Sequence, residues 1–110
     1  MDNMTLQKRR RLELHATFVS IIGTENQSHV YYNPPEGLRL QYPAIVYHPT
    51  TISKRYADNK TYKMDTGYIV TVITREPDSV IVQKIASLPT CSFDRHMFID
   101  NLIHDTFTIY

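Results

Sequence analysis

Three side chains near the C-terminus have types and a spacing that suit a divalent metal. They are Asp94, His96 and His104, and imidazole and carboxylate groups are ordinary ligands of such ions. If the C-terminal segment is a β-hairpin with a three-residue loop over Ile99–Asn101, His96 lies opposite His104, with Asp94 on the same face. One hypothesis is therefore a small metal-dependent hydrolase; the alternative is a pair of surface histidines on an exposed strand pair.

The register of this hairpin follows from its apolar positions. These are odd-numbered in both strands: Cys91, Phe93 and Met97 in the first, and Ile103, Phe107 and Ile109 in the second. A two-residue loop at Asp100-Asn101 pairs odd with even positions and would put the two sets on opposite faces, whereas a three-residue loop keeps them together. We therefore expect three cross-strand pairs: Phe93 with Phe107, Met97 with Ile103, and Arg95 with Asp105.

A basic run, Lys8-Arg9-Arg10-Arg11, lies in the early turns of the first predicted helix. Positive charge there opposes the helix dipole and is mildly destabilising, which suggests a functional role such as contact with DNA or an acidic partner. Four consecutive residues spread around a helix, however, and cannot all face one ligand. The alternative is a solvated face. A nucleic-acid-binding module would show a duplex affinity that falls steeply with salt.

Length and composition indicate one globular domain over residues 1–110, with a disordered terminus at residues 1–4. Of the 110 residues, 42% are hydrophobic and the net charge is +1, which argues against a disordered chain and against a protein that coats nucleic acid. The single cysteine, Cys91, excludes an internal disulfide, and we expect it to be a buried structural residue. Neither a signal peptide nor an apolar run long enough for a membrane span is evident, and no common catalytic motif occurs.

The elements that must position these residues are two helices and several strands. Leu14, Phe18 and Ile22 recur at helical spacing and predict a helix from Thr5, its N-cap, to Ile22. Strands are expected at His29–Tyr32, Pro43–Tyr47, Ile52–Tyr56 and Tyr68–Arg75, with turns at Asp58-Asn59 and Asp65–Gly67. Tyr68–Arg75 is apolar on both faces, which favours a central strand covered on both sides. A second helix is expected from its N-cap Asp78 to a stop at Pro89, with Ile81, Ile85 and Leu88 on one face. The predicted fold is α+β, a mostly antiparallel four- to five-stranded sheet with an N-terminal helix and a short second helix packed on it.

Candidate contact residues come from the basic run, the tyrosines and the loops. The chain has eight tyrosines, and tyrosine is enriched in buried contact patches. The loops Asn33–Gln41 and Tyr56–Gly67 contain more leucine and tyrosine than pure spacers need, which suggests ordering on a partner. The interface candidates are Arg9, Arg10, Arg11, Leu38, Leu40, Tyr56 and Tyr62.

From Tyr42 onward the sequence resembles a known family. The segments that carry the resemblance are YPAIVY (Tyr42–Tyr47), YADNKTY (Tyr56–Tyr62), YIVTVITREPDS (Tyr68–Ser79), LPTCSFDR (Leu88–Arg95) and DNLIHDTFTIY (Asp100–Tyr110). In order and spacing they are similar to small proteins encoded in the head–tail joining region of tailed-bacteriophage genomes. Such proteins are described as tail terminator, tail completion or minor capsid proteins.

The resemblance implies a virion structural protein and not an enzyme, with no cofactor, no metal and no catalytic residues. Tail terminators form a ring, commonly a hexamer, that caps the tail tube protein and docks on a neck or head-completion protein. DNA passes through the lumen without specific binding, and no membrane is involved. The expected location is the head–tail junction of a virion assembled in the bacterial cytoplasm. An alternative within the same class is a head-completion or neck connector protein.

Overall fold

The protein adopts the predicted α+β architecture. The computed structural model describes residues 3–55, 62–77 and 79–110, and the side chains of residues 8–51, 66–77 and 79–110. In chain order the elements are α1 (Asn3–Ile22), a 3-10 helix (Thr24–His29), β1 (Val30–Tyr32), β2 (Ala44–Arg55), β3 (Tyr62–Thr74), α2 (Val80–Ala86), β4 (Cys91–Ile99) and β5 (Leu102–Ile109). Neither helix is both long and apolar enough to cross a membrane, as judged over the described residues.

The strands of the described residues form one five-stranded sheet in the order β1-β2-β3-β5-β4. Only the β1–β2 pair is parallel, and the other three neighbouring pairs are antiparallel. β3 occupies the centre, as its apolar sequence predicts. The last hairpin puts β4 at the outer edge, next to β5 alone.

The hydrophobic core lies between one face of the sheet and the two helices. Alternate residues of each strand point to this face, which we call the covered face. The buried core comprises Phe18, Ile22, Val30, Ile45, Tyr47, Tyr68, Val70, Val72, Ile85, Phe107 and Ile109. Ile69 and Thr71 of β3 point to the opposite face and are only half-buried. Ile73 on that same face is buried, with an exposed fraction of 6%. The prediction that this strand is covered on both sides is therefore met on the covered face and in part on the opposite face.

Both helices begin one or two residues away from their predicted starts. α1 begins at Asn3, so Thr5 lies inside the helix and the prediction of Thr5 as its N-cap is wrong. Asp78, the predicted N-cap of α2, lies outside the described residues. Ser79 is the N-cap, because its Oγ accepts a hydrogen bond from the backbone N–H of Ile81.

The segment predicted as two short strands before β3 is one long strand. β2 runs without a break from Ala44 to Arg55 and pairs with β3 from Ile73 back to Tyr62. The turn predicted at Asp65–Gly67 is therefore wrong, because the continuous antiparallel ladder outweighs local turn preference. The other predicted turn, Asp58-Asn59, lies outside the described residues.

The C-terminal hairpin uses the two-residue loop that the parity argument disfavoured. Asp100 and Asn101 both have positive φ, 52° and 64°, as a type I′ turn requires. A β-bulge between Phe93 and Arg95 then shifts the register by one residue, since a bulge inserts one unpaired residue into a strand. Consequently the predicted Phe93–Phe107 pair is confirmed, whereas the pairs Met97–Ile103 and Arg95–Asp105 are wrong.

Candidate interaction surface

The two-residue turn separates the histidines of the proposed metal site. His96 is opposite Asp105 on the covered face, whereas His104 is opposite Met97 on the other face. Asp94 Oδ2 accepts a hydrogen bond of 2.5 Å from Thr108 Oγ1. The predicted pairing of His96 with His104 is therefore wrong. Among the described residues, no group of three histidine, cysteine, aspartate or glutamate side chains is close enough to hold a metal ion.

His96 instead satisfies a buried carboxylate. Its Nδ1 lies 2.5 Å from Oδ1 of Asp105, and the exposed fraction of the side chain is 59% for His96 but only 8% for Asp105. A buried carboxylate without a partner is costly, so this contact holds His96, in the edge strand, against β5. The two residues line a shallow depression of about 360 Å³ with Glu76 and Ser79.

The basic run divides into inward and outward side chains. Arg10 lies over the ring of Tyr68, 5.8 Å from its centroid, and its Nη1 donates a hydrogen bond to the Thr66 carbonyl. Arg11 lies 4.4 Å above the ring of Tyr32. Both guanidinium groups thus pack α1 onto tyrosines of the sheet. Of the candidates Arg9, Arg10 and Arg11, only Arg9 is exposed without such a contact in the described part of the chain.

A buried polar contact beneath α1 completes this attachment. His15 Nδ1 lies 2.7 Å from Tyr47 Oη, and the Tyr47 side chain is fully buried. Burial raises the pKa of Tyr47 to about 12. Burial, and secondarily the charge of Arg11, lowers the pKa of His15. Two neutral groups therefore share this hydrogen bond at neutral pH, which explains how a tyrosine hydroxyl and an imidazole are accommodated next to Phe18 in the core.

The most exposed apolar surface of the described chain is the edge strand. After Cys91 every residue of β4 is exposed, and its four large apolar side chains have high exposed fractions: Phe93 58%, Met97 41%, Phe98 68% and Ile99 40%. By their pairing, Phe93 and Phe98 lie on the covered face, and Met97 and Ile99 lie on the other. We call the outer side of β4 with these four side chains the β4 edge.

This edge has the features of a protein contact. An edge strand presents unpaired N–H and C=O groups, and soluble proteins usually protect such strands by charge, proline, shortness or a bulge. The bulge and the charges of Asp94 and Arg95 protect the first half of β4. The second half, Met97-Phe98-Ile99, has no charge and no bulge in its register. Grouped apolar side chains of this kind typically mark interaction sites.

The other interface candidates are scattered. Leu38 is exposed, with an exposed fraction of 46%, whereas Leu40 is half-buried. The loop that contains them is tied to β1, since the backbone N–H of Gln41 donates a hydrogen bond to Tyr31 Oη. Tyr56 lies outside the described residues. Tyr62 is the first residue of β3, and its side chain also lies outside the described part.

The sequence contained one signal for the β4 edge. Three consecutive apolar residues, Met97-Phe98-Ile99, interrupt the alternation expected of a half-buried strand. The parity of the apolar positions instead predicts that Phe93 and Met97 share one face with Cys91 and Phe107. Cys91, at the start of the strand, fits its prediction better. Its side chain packs against the core, and burial, together with the nearby charge of Asp94, raises the pKa of the thiol.

Comparison with known proteins adds no family assignment: no protein-family model matches the chain, and no curated protein matches it.

Proposed function

We propose that this chain is a structural subunit of the head–tail junction of a tailed bacteriophage. In this role it is a tail terminator, which forms a ring on the finished tail tube and offers a docking face to the neck. The β4 edge is the observation that carries the proposal, because its second half leaves an unprotected strand with large exposed side chains. Such an edge suits a subunit that is completed by a neighbouring protein chain.

The resemblance supplies the type of assembly. Its segments contribute the start of β2, most of β3, the first half of β4, and the turn with β5. The similarity to head–tail joining proteins therefore falls mainly on the sheet and includes the first half of β4, but not Met97-Phe98-Ile99. A ring of identical subunits requires two different patches on each subunit, which meet head to tail and close.

The charge of the chain is compatible with DNA passage. A net charge of +1 leaves little general attraction for phosphates, and a strongly positive lumen would retard the passing DNA. Arg11, which packs on the ring of Tyr32, is half-buried, and this reduces the basic surface of α1 further.

Deletion of the gene from its phage tests this role. Negative-stain electron microscopy of the lysate should show unattached tails that exceed normal length beside DNA-filled heads. Free tails of normal length beside empty or leaking heads would instead assign the protein to head completion. Intact, infectious virions would overturn the proposal.

Complementation with variants connects the phenotype to the β4 edge. Phe98→Lys places a charge at the most exposed apolar position of the edge and should fail to restore head attachment. Leu12→Lys makes the same kind of change on α1, at a leucine with an exposed fraction of 51%, and should restore it. Equal complementation by both variants would remove the β4 edge from the proposed function.

A further inference from the structure

The β2–β3 hairpin extends well beyond the sheet. β1 pairs with β2 only up to Tyr47, and the ladder between β3 and β5 begins at Tyr68. The six pairs from Thr50–Gly67 to Arg55–Tyr62 continue past both neighbours. At about 3.4 Å per residue this ribbon, which we call the arm, is roughly 17 Å long.

The arm has structural support on one side. α1 contacts its β3 strand, where Arg10 donates a hydrogen bond to the Thr66 carbonyl. Along the β2 strand, no third strand of the described chain pairs beyond Tyr47. Two-stranded ribbons are marginally stable in water, and a third strand normally stabilises them.

We infer that residues Thr50–Arg55 of the arm pair with the β4 edge of a second copy of this chain. Within the described residues, the arm has no neighbouring strand on its β2 side, and β4 has none on its outer side. The two surfaces cannot meet within one molecule, because β3 and β5 lie between β2 and β4 in the sheet. Association of two copies joins them and extends the ladder from one molecule to the next, as in β-strand addition.

Charge favours this partner. Residues 50–55 contain two basic and no acidic side chains, whereas residues 91–101 contain one basic and two acidic side chains. Opposite net charges on the two surfaces steer the encounter and disfavour pairing of like surfaces. The contact is heterologous, so repeated copies form a ring or a filament. The inference rests on the proposed function for the choice of a second copy as the partner.

Two variants block the two surfaces separately. Phe98→Lys changes the β4 edge, and Lys54→Glu with Arg55→Glu reverses the charge of the arm. The matched control, Lys8→Glu with Arg9→Glu, makes the same change in net charge on exposed residues of α1. Circular dichroism and thermal unfolding verify that each variant is folded. Sedimentation velocity is then measured on each protein up to about 1 mM, where even very weak association is detectable.

The wild type and the α1 control should form species larger than dimers, and each blocking variant should weaken association about tenfold or more. An equimolar mixture of the two blocking variants retains one intact contact per pair and should yield dimers and nothing larger. The arm variant keeps an intact β4 edge. If this variant dimerises by itself, and mixing it with Phe98→Lys produces no additional dimer, two β4 edges pair with each other and the inference fails. It also fails if the wild type remains monomeric, or if the α1 control weakens association equally. These outcomes are separate from the head–tail role, which is scored on the phage lysate.

Discussion

Replacing Tyr47 by phenylalanine removes one buried hydroxyl and preserves the aromatic packing around it. The Tyr47 ring meets Phe18 edge-on, with centroids 5.0 Å apart, and phenylalanine retains this contact. What disappears is the hydroxyl that lies 2.7 Å from His15 Nδ1. A hydrogen bond between neutral groups contributes about 1 kcal/mol net. In a chain of 110 residues, this loss lowers the Tm by about 4 °C.

Urea denaturation of four proteins measures the effect: the wild type, Tyr47→Phe, His15→Ala and the double variant. If the hydroxyl acts through His15, Tyr47→Phe should cost much less in the His15→Ala background, with a coupling free energy of about 0.5–1 kcal/mol. Tyr32→Phe is the control, because the described chain provides no hydrogen-bond partner for that hydroxyl; it should cost less than about 0.5 kcal/mol. An equal cost of Tyr47→Phe in both backgrounds would refute the reasoning.

Three further predictions concern pH, the hairpin turn and the second helix. The folded state lowers the pKa of His15 below its ordinary 6.5, so the unfolded state binds the proton more readily. The free energy of unfolding should therefore fall as the pH drops below 6.5. Urea denaturation at several pH values should show that this decline is smaller in His15→Ala. Asn101→Gly relieves a positive φ of 64° and should raise the free energy of unfolding by about 0.5 kcal/mol, a prediction that a lower Tm would contradict. Ser79→Ala removes the acceptor for the Ile81 N–H and should lower the free energy of unfolding by about 1 kcal/mol. Ser79→Asp retains an acceptor and should keep most of the wild-type free energy of unfolding.

The sequence alone determined the features that depend on local periodicity. The apolar stripe of Leu14, Phe18 and Ile22 repeats at helical spacing, so it predicted α1 and the face that packs on the sheet. The apolar strand around Val70 predicted a central position, because residues that are apolar on both faces of a strand favour a place inside the sheet. The common face of Phe93 and Phe107 also followed from alternation, since side chains of a strand have a period of two.

Only the tertiary structure decided the features that depend on distant partners. The two-residue turn at Asp100-Asn101 sets His96 opposite Asp105 instead of His104, and the bulge before Arg95 then restores the Phe93–Phe107 pair. Alternation within each strand contains no information about such an insertion. The packing of Arg10 and Arg11 depends on which tyrosines the sheet presents beneath α1. The exposure of Phe98 likewise depends on the strand order, which leaves β4 beside β5 alone. Burial depends on the whole fold, and so the candidate interaction surface could be identified only from the strand order of the sheet.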